Sequence, residues 1–296
     1  MKVKEDKKGL FDSRSYFLLF VSILIWFLFF SARTFQGAEK EGKPRSPEVE
    51  GWVTIYALLK AYGDSIESIE FEEGEPVFII RGKRLYYAGG RMLSEAHRKQ
   101  ASSFDPIFYP YHTGPLRELP GDSSFPVKRS SDFLDALIGI SEMEIRASCF
   151  WVPFLGRKAF VHRMTAIPLK MVEARILKEA ETSMPVRQYI ENIRVIFSLS
   201  RRRVSGTLNM SYHGYGLAID IIPKGYGRKH VYWRWSSAFD PGWGRIPLEK
   251  RWQPPLEVIE AFEENGFVWG GKWYHFDSVH FEYRPEIILL SNMGFQ

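Results

Sequence analysis

The pattern of apolar and polar positions divides the chain into a short apolar N-terminal run and a long mixed region. Residues 16–32, YFLLFVSILIWFLFFSA, are uncharged. They follow a flank with Lys2, Lys4, Lys7, Lys8 and Arg14 against Glu5, Asp6 and Asp12. Such a run behind a basic flank predicts an inserted helix with its N-terminus in the cytoplasm. It is short for a spanning helix and long for the apolar part of a signal peptide. The expectation is therefore an uncleaved, single-pass signal anchor at 16–32, after a cytoplasmic N-terminus at 1–15. Cleavage within SARTFQGA is the alternative, and either way everything after residue 33 is exported. Residues 33–50, polar with Gly and Pro, read as a linker.

Beyond the linker the periodicity changes several times. Residues 51–62 suggest a helix, and 66–88 suggest strands with turns at Gly74-Glu75 and Gly82-Lys83. Residues 101–131, rich in Pro, Ser and aromatics, read as a long ordered loop against the main body. A helix is expected from Thr165 as N-cap, with Pro168 in its first turn and Leu169, Val172, Ile176 and Ala180 on one face. A short helix follows at 185–193, then strands at 194–200, 216–222 and 230–236. A helix at 255–265 stops at Gly266, and 272–283 is a strand reached through a turn. Strands mixed with helices, without regular βαβ alternation, predict an α+β fold with a small antiparallel sheet and flanking helices.

Composition narrows the partners. The net charge is +5 and the aromatic content 16%. A mildly basic surface suits a phospholipid surface, an acidic wall polymer or nucleic acid. The chain has no basic stripe with interleaved aromatics, so no nucleic-acid partner is expected. No signal sets an oligomeric state. With one cysteine, Cys149, neither an intrachain disulfide nor a cysteine-based zinc site can form. Cys149 reads as a small buried hydrophobe. A metal site would have to use His and carboxylate.

That chemistry is concentrated in SYHGYGLAIDI, residues 211–221, where His213 and Asp220 sit within an otherwise apolar run. With His280 they make a three-ligand set for a divalent metal such as zinc, leaving a fourth position for water. On a straight strand, residues seven apart face opposite ways. Gly214 and Gly216 supply the turn that lets His213 meet Asp220. A general base is also needed, and on spacing either Asp277 or Glu282 qualifies. A satisfied His/Asp pair without metal is the structural alternative. His162, His230 and His275 read as structural or surface residues. Trp269 and Trp273 suit either the walls of a cleft or core.

The two blocks SYHGYGLAIDI and GFVWGGKWYHFDSVHFEY resemble the signatures of the VanY/VanX-type D-alanyl-D-alanine carboxypeptidases, zinc peptidases of peptidoglycan. The similarity is to an extensin-like variant, sharing the fold of the Hedgehog signalling domain. It covers roughly residues 150–296, so 150–296 is expected to be the zinc peptidase domain and 51–149 an extension packed on it. The resemblance implies that His213, Asp220 and His280 bind Zn2+ and that Asp277 is the general acid/base. Glu282 then becomes a supporting residue, Ser211 hydrogen-bonds near the metal, and Trp273 lies beside the site. An upstream arginine stabilises the oxyanion. The pattern points to Arg202, with Arg201 and Arg203 as alternatives. The implied enzyme cleaves a stem peptide on the exported side of a bacterial cytoplasmic membrane. Removal of a terminal D-Ala is the first expectation. L-Ala–D-Glu or cross-link cleavage is the second, and a catalytically silent Hedgehog-like binding domain the third.

Overall fold

The computed structural model describes residues 47–121, 128–204, 207 and 209–294. The expected anchor at 16–32, the segment before it and most of the linker lie outside the described residues. Among those described, no helix is long and apolar enough to cross a membrane. The fold is α+β with small antiparallel sheets.

Helix α1 (Pro47–Tyr62) begins inside the stretch expected to be linker. It leads to a meander of β1 (Ser68–Glu72), β2 (Glu75–Ile80), β3 (Lys83–Ala88) and β4 (Arg91–Leu93), each antiparallel to the next. The first two turns centre on Glu73-Gly74 and Arg81-Gly82, one residue before the expected positions. All four of these residues have positive φ, the conformation that two-residue hairpin turns require. After α2 (Glu95–Arg98), the aromatic loop lies against the body as anticipated, burying Ile107, Phe108, Tyr109 and Tyr111.

Helices α3 (Asp132–Leu137) and α4 (Glu142–Ala147) and the hairpin β5 (Cys149–Phe154)–β6 (Arg157–His162) had no sequence expectation. Helix α5 (Arg163–Ala180) starts two residues before the expected cap. His162 is the N-cap and accepts from the Met164 N–H at 3.3 Å, while the Thr165 hydroxyl donates to the His162 carbonyl. Pro168 consequently falls in the second turn. Leu169, Val172 and Ile176 are buried as the periodicity required. Helix α6 (Met184–Glu191) follows, and Ile193 already belongs to the next strand.

The sheet that positions the site contains β7 (Ile193–Phe197), β8 (Ala218–Pro223), β9 (Phe267–Trp269) and β10 (His280–Tyr283). Their order is β7-β8-β10-β9, all antiparallel. Ile196, Ile219, Ile221, Phe281 and Trp269 form a core under α5 and α8 (Leu256–Glu264). Because side chains alternate across a strand, Asp220, His280 and Glu282 occupy the opposite face.

Two expected strands do not form as drawn. Residues 230–236 make isolated bridges at His230 and Tyr232 and then a helical turn, α7 (Trp233–Ser237). The turn brings the Trp233 ring onto Trp243 and His275, at 5.1 and 4.6 Å between centroids. That aromatic contact replaces strand pairing. The strand expected over 272–283 is confined to β10. Residues before it fold back on Gly270, whose carbonyl accepts from the N–H of both Trp273 and Asp277. Helix α9 (Pro285–Asn292) closes the chain and packs on α1.

Buried polar contacts tie Tyr62 and the loop residues 107–114 to the segments that flank the site-bearing sheet. Tyr62 donates to Glu286 at 2.6 Å, and the Arg284 guanidinium donates to the Ile107 carbonyl at 2.6 Å. Glu263 pairs with Lys272 and accepts from Tyr111 and the Gly114 N–H.

Candidate metal centre

His213, Asp220 and His280 come together from three elements. Asp220 and His280 are register partners across β8 and β10, so their side chains share a face. His213 lies on the 3-10 turn Tyr212–Tyr215. The Ser211 hydroxyl caps this turn, accepting from the His213 N–H at 3.3 Å. Ser211 therefore holds the segment carrying the first histidine. The turn ends at Gly216, with φ 70°. A Cβ there would lie 2.9 Å from both Cys149 Sγ and the His162 nitrogen.

The inner atoms converge closely. His213 Nε2 is 2.9 Å from Asp220 Oδ1 and 3.1 Å from His280 Nδ1, and His280 Nδ1 is 2.7 Å from Asp220 Oδ1. The outer atoms decide what these contacts mean. His213 Nδ1 is 2.7 Å from the Ser198 carbonyl, which can only accept, so Nδ1 carries the proton and Nε2 presents a lone pair inward. His280 Nε2 donates to Glu282 Oε1 at 3.1 Å, which directs the Nδ1 lone pair inward. Two imidazole lone pairs and a carboxylate oxygen thus face one another, all buried. Three acceptors at that separation need positive charge among them, either a shared proton or a metal ion.

The electrostatics agree. Burial works against charge on His280, but hydrogen bonds to Asp220 and Glu282 outweigh it and raise its pKa to about 10. Asp220 is held far below the ordinary carboxylate range by His213 and His280, although burial alone would raise it. The surroundings that favour a proton here also favour a divalent ion. His₂Asp fits zinc's catalytic ligand pattern of three protein donors with one position left open. Imidazoles hydrogen-bonded on their outer nitrogens are the usual supporting arrangement.

Asp277 is partly buried, and its Oδ1, shielded from solvent, has no hydrogen-bond partner among the described residues. Burial raises its pKa to about 7, helped by the negative charge of Asp220, with His280, the Val279 N–H and Arg202 opposing. A carboxyl poised near neutrality suits proton transfer. The two glycines before it make room for its turn. A Cβ on Gly270 would lie 2.7 Å from the Asp277 carbonyl, and one on Gly271 would lie 2.1 Å from the Trp269 ring.

Of the three arginines, Arg202 sends Nη2 to within 3.3 Å of Asp220 Oδ2, with its side chain half exposed. Arg201 turns away to the Ile140 carbonyl, and the Arg203 backbone bridges to Met210. Glu282 supports His280 rather than competing with Asp277. Trp273 is buried, its ring 5.5 Å from that of His280, and its indole N–H donates to Tyr109. It backs the site instead of lining an open cleft, and Trp269 lies in the core on the other face. His162 caps a helix, His230 contacts the Ser236 hydroxyl, and His275 belongs to the aromatic cluster with Trp233 and Trp243. Cys149 is buried, and burial raises its thiol pKa to about 11. Sequence reasoning missed the Ser198 carbonyl, a backbone group that carries no residue-type signal. It also missed the Glu263–Lys272 pair, whose Lys272 sits inside the recognised second block.

Residues 205–283 match the family described as D-alanyl-D-alanine carboxypeptidase. Residues 54–109 match a family described as a domain of unknown function. Over 76 residues the chain is 38% identical to the peptidoglycan L-alanyl-D-glutamate endopeptidase CwlK of Bacillus subtilis (strain 168). That alignment covers 25% of this chain and 40% of the relative, so the chain spans about two fifths of the relative's length. No solved structure matches. The segment carrying the three converging donors and Asp277 is therefore similar to peptidoglycan peptidases of the D-alanyl-D-alanine carboxypeptidase family, without singling out one member.

Proposed function

We propose that the protein is a zinc metallopeptidase that hydrolyses peptidoglycan stem peptides. The observation carrying this reading is the inward convergence of His213 Nε2, Asp220 Oδ1 and His280 Nδ1, with both imidazoles fixed from outside. When bound, zinc supplies the Lewis acidity that activates water and polarises the scissile carbonyl. Asp277 Oδ1 takes the proton of the attacking water and returns it to the leaving amine. Arg202, close to Asp220 yet half exposed, stabilises the developing oxyanion or holds a substrate carboxylate. Glu282 and the Ser198 carbonyl keep the imidazoles oriented throughout.

The bond proposed first is the terminal D-Ala–D-Ala bond, in line with the family matched over residues 205–283. The resemblance to an L-alanyl-D-glutamate endopeptidase favours cleavage within the stem as the second reading. An N-terminal anchor at the cytoplasmic membrane would keep the enzyme on the exported side, within reach of the wall. The test is incubation of the zinc-loaded protein with a pentapeptide-bearing muropeptide, with products identified by mass spectrometry beside Asp277→Ala. Loss of one alanine, absent in the variant, supports the carboxypeptidase, and a cut inside the stem supports the endopeptidase. Bound zinc without hydrolysis would refute the enzyme reading and favour a Hedgehog-like binding domain.

A further inference from the structure

On the metal-bearing face of the sheet, a large apolar side chain stands in the open. Phe197 is the register partner of Asp220 across β7 and β8, as His280 is across β8 and β10. The three side chains Phe197, Asp220 and His280 therefore form one row across the sheet on the same face. The two polar members are buried, whereas Phe197 remains 54% exposed. The next pair on this face, Val195 and Ile222, is also apolar and only partly buried. The strand's other face supplies the core through Ile196 and Ile221, so fold stability alone does not account for an exposed Phe197.

A cationic group lies near this apolar strip, because Arg202 reaches the carboxylate of Asp220, the register partner of Phe197. An apolar platform with a nearby guanidinium suits a small aliphatic residue in a chain of carboxylates. The two bonds considered above share one feature. In D-alanyl-D-alanine and in L-alanyl-D-glutamate, the attacked carbonyl belongs to an alanine.

We infer that Phe197 is a specificity-determining residue, and that its exposed ring receives the methyl group of the alanine whose carbonyl is attacked. This rests on the peptidase reading but not on which of the two bonds is cut. Contact with one methyl on an open platform is worth a several-fold preference, smaller than a closed pocket would give.

The test pairs two substrates with two variants. One stem peptide is the one the wild type cuts. The other carries glycine in place of the alanine on the carbonyl side of that bond. The wild type should prefer alanine by about fivefold in kcat/KM. Phe197→Ala should lose that preference by falling on the alanine peptide alone, and Phe197→Leu should keep most of it. Bound zinc should remain at one equivalent in both variants. Equal losses on the two peptides would mean that Phe197 acts only on the fold and would overturn the inference. So would an unchanged preference in Phe197→Ala. If the wild type cuts neither peptide, the peptidase reading falls and the inference with it, an outcome distinct from wild-type cleavage with unaltered selectivity.

Discussion

Asp220 and His280 are direct register partners on neighbouring antiparallel strands, with Oδ1 and Nδ1 2.7 Å apart. Two of the three candidate metal donors are thus fixed by strand pairing. The third arrives on a capped turn. A one-residue slip of β10 would send His280 to the core face, so the geometry of the site depends on the register of the sheet.

Glu282 shares the His280 face and accepts from its outer nitrogen. Glu282→Gln keeps the shape of the side chain but weakens its pull on the imidazole. Zinc affinity is expected to fall by about 10- to 100-fold, with the chain still folded. Competition against a chelator, alongside circular dichroism, measures both effects.

Asp277 must be unprotonated to accept a proton, so kcat/KM should decline as the pH falls through its pKa. Burial, with Asp220, raises that value to about 7 in the bare site, and a nearby divalent cation favours the carboxylate. The acidic limb of the profile is therefore expected at or below about pH 7. Asp277→Ala should lower activity by about 10²- to 10⁴-fold and remove that limb from what remains.

Gly216 combines positive φ with a close approach to Cys149 and to the backbone of His162. Gly216→Ala is strained in both respects and should cost about 2 kcal/mol or more. Because this glycine ends the turn of His213, zinc binding should weaken as well. Urea unfolding and zinc titration of the same sample would show the two losses together.

Glu263 and Lys272 form a buried pair that also binds Tyr111, Gly114 and the His112 carbonyl. Removing one partner strands a buried charge. Lys272→Met is expected to cost about 3–5 kcal/mol, and the double change Glu263→Gln with Lys272→Met should recover part of it. Limited proteolysis near residues 107–114 should speed up in the single variant if this pair holds the aromatic loop.

His162 caps α5 through Nδ1 and must be neutral to accept. Burial, then Arg163 and Arg81, lower its folded-state pKa from 6.5 to about 4. Between these values the unfolded chain binds the extra proton, so stability is full above about pH 6.5 and is lost as the pH falls toward 4. From pH 7.5 to 5 the loss from this group is about 2 kcal/mol. Denaturant unfolding at the two pH values, compared with His162→Asn, isolates it.

The approach of His213 to Asp220 was legible because the two glycines and the His/Asp spacing announce a turn entering a buried strand. The long helices were legible from their apolar stripes. The tryptophan-rich 230–236 stretch misled, because aromatic residues fit strands and stacked clusters equally well until their partners are known. The α5 cap was displaced from Thr165 to His162 because a hairpin, without a clear alternating pattern of its own, runs directly into the helix. Nothing in the sequence pattern marks Arg284–Glu286 and Glu263–Lys272 as buried pairs. Tyr62 and residues 107–114, distant in the chain, supply the contacts that help enclose them.

The central claim is that three side chains hold a catalytic zinc ion, and titrating metal-stripped protein with zinc while following stem-peptide hydrolysis tests it most directly. Activity should rise linearly and level off at one equivalent, with His280→Ala inactive over the same range. Hydrolysis that is indifferent to zinc, or no hydrolysis with the site filled, would contradict it.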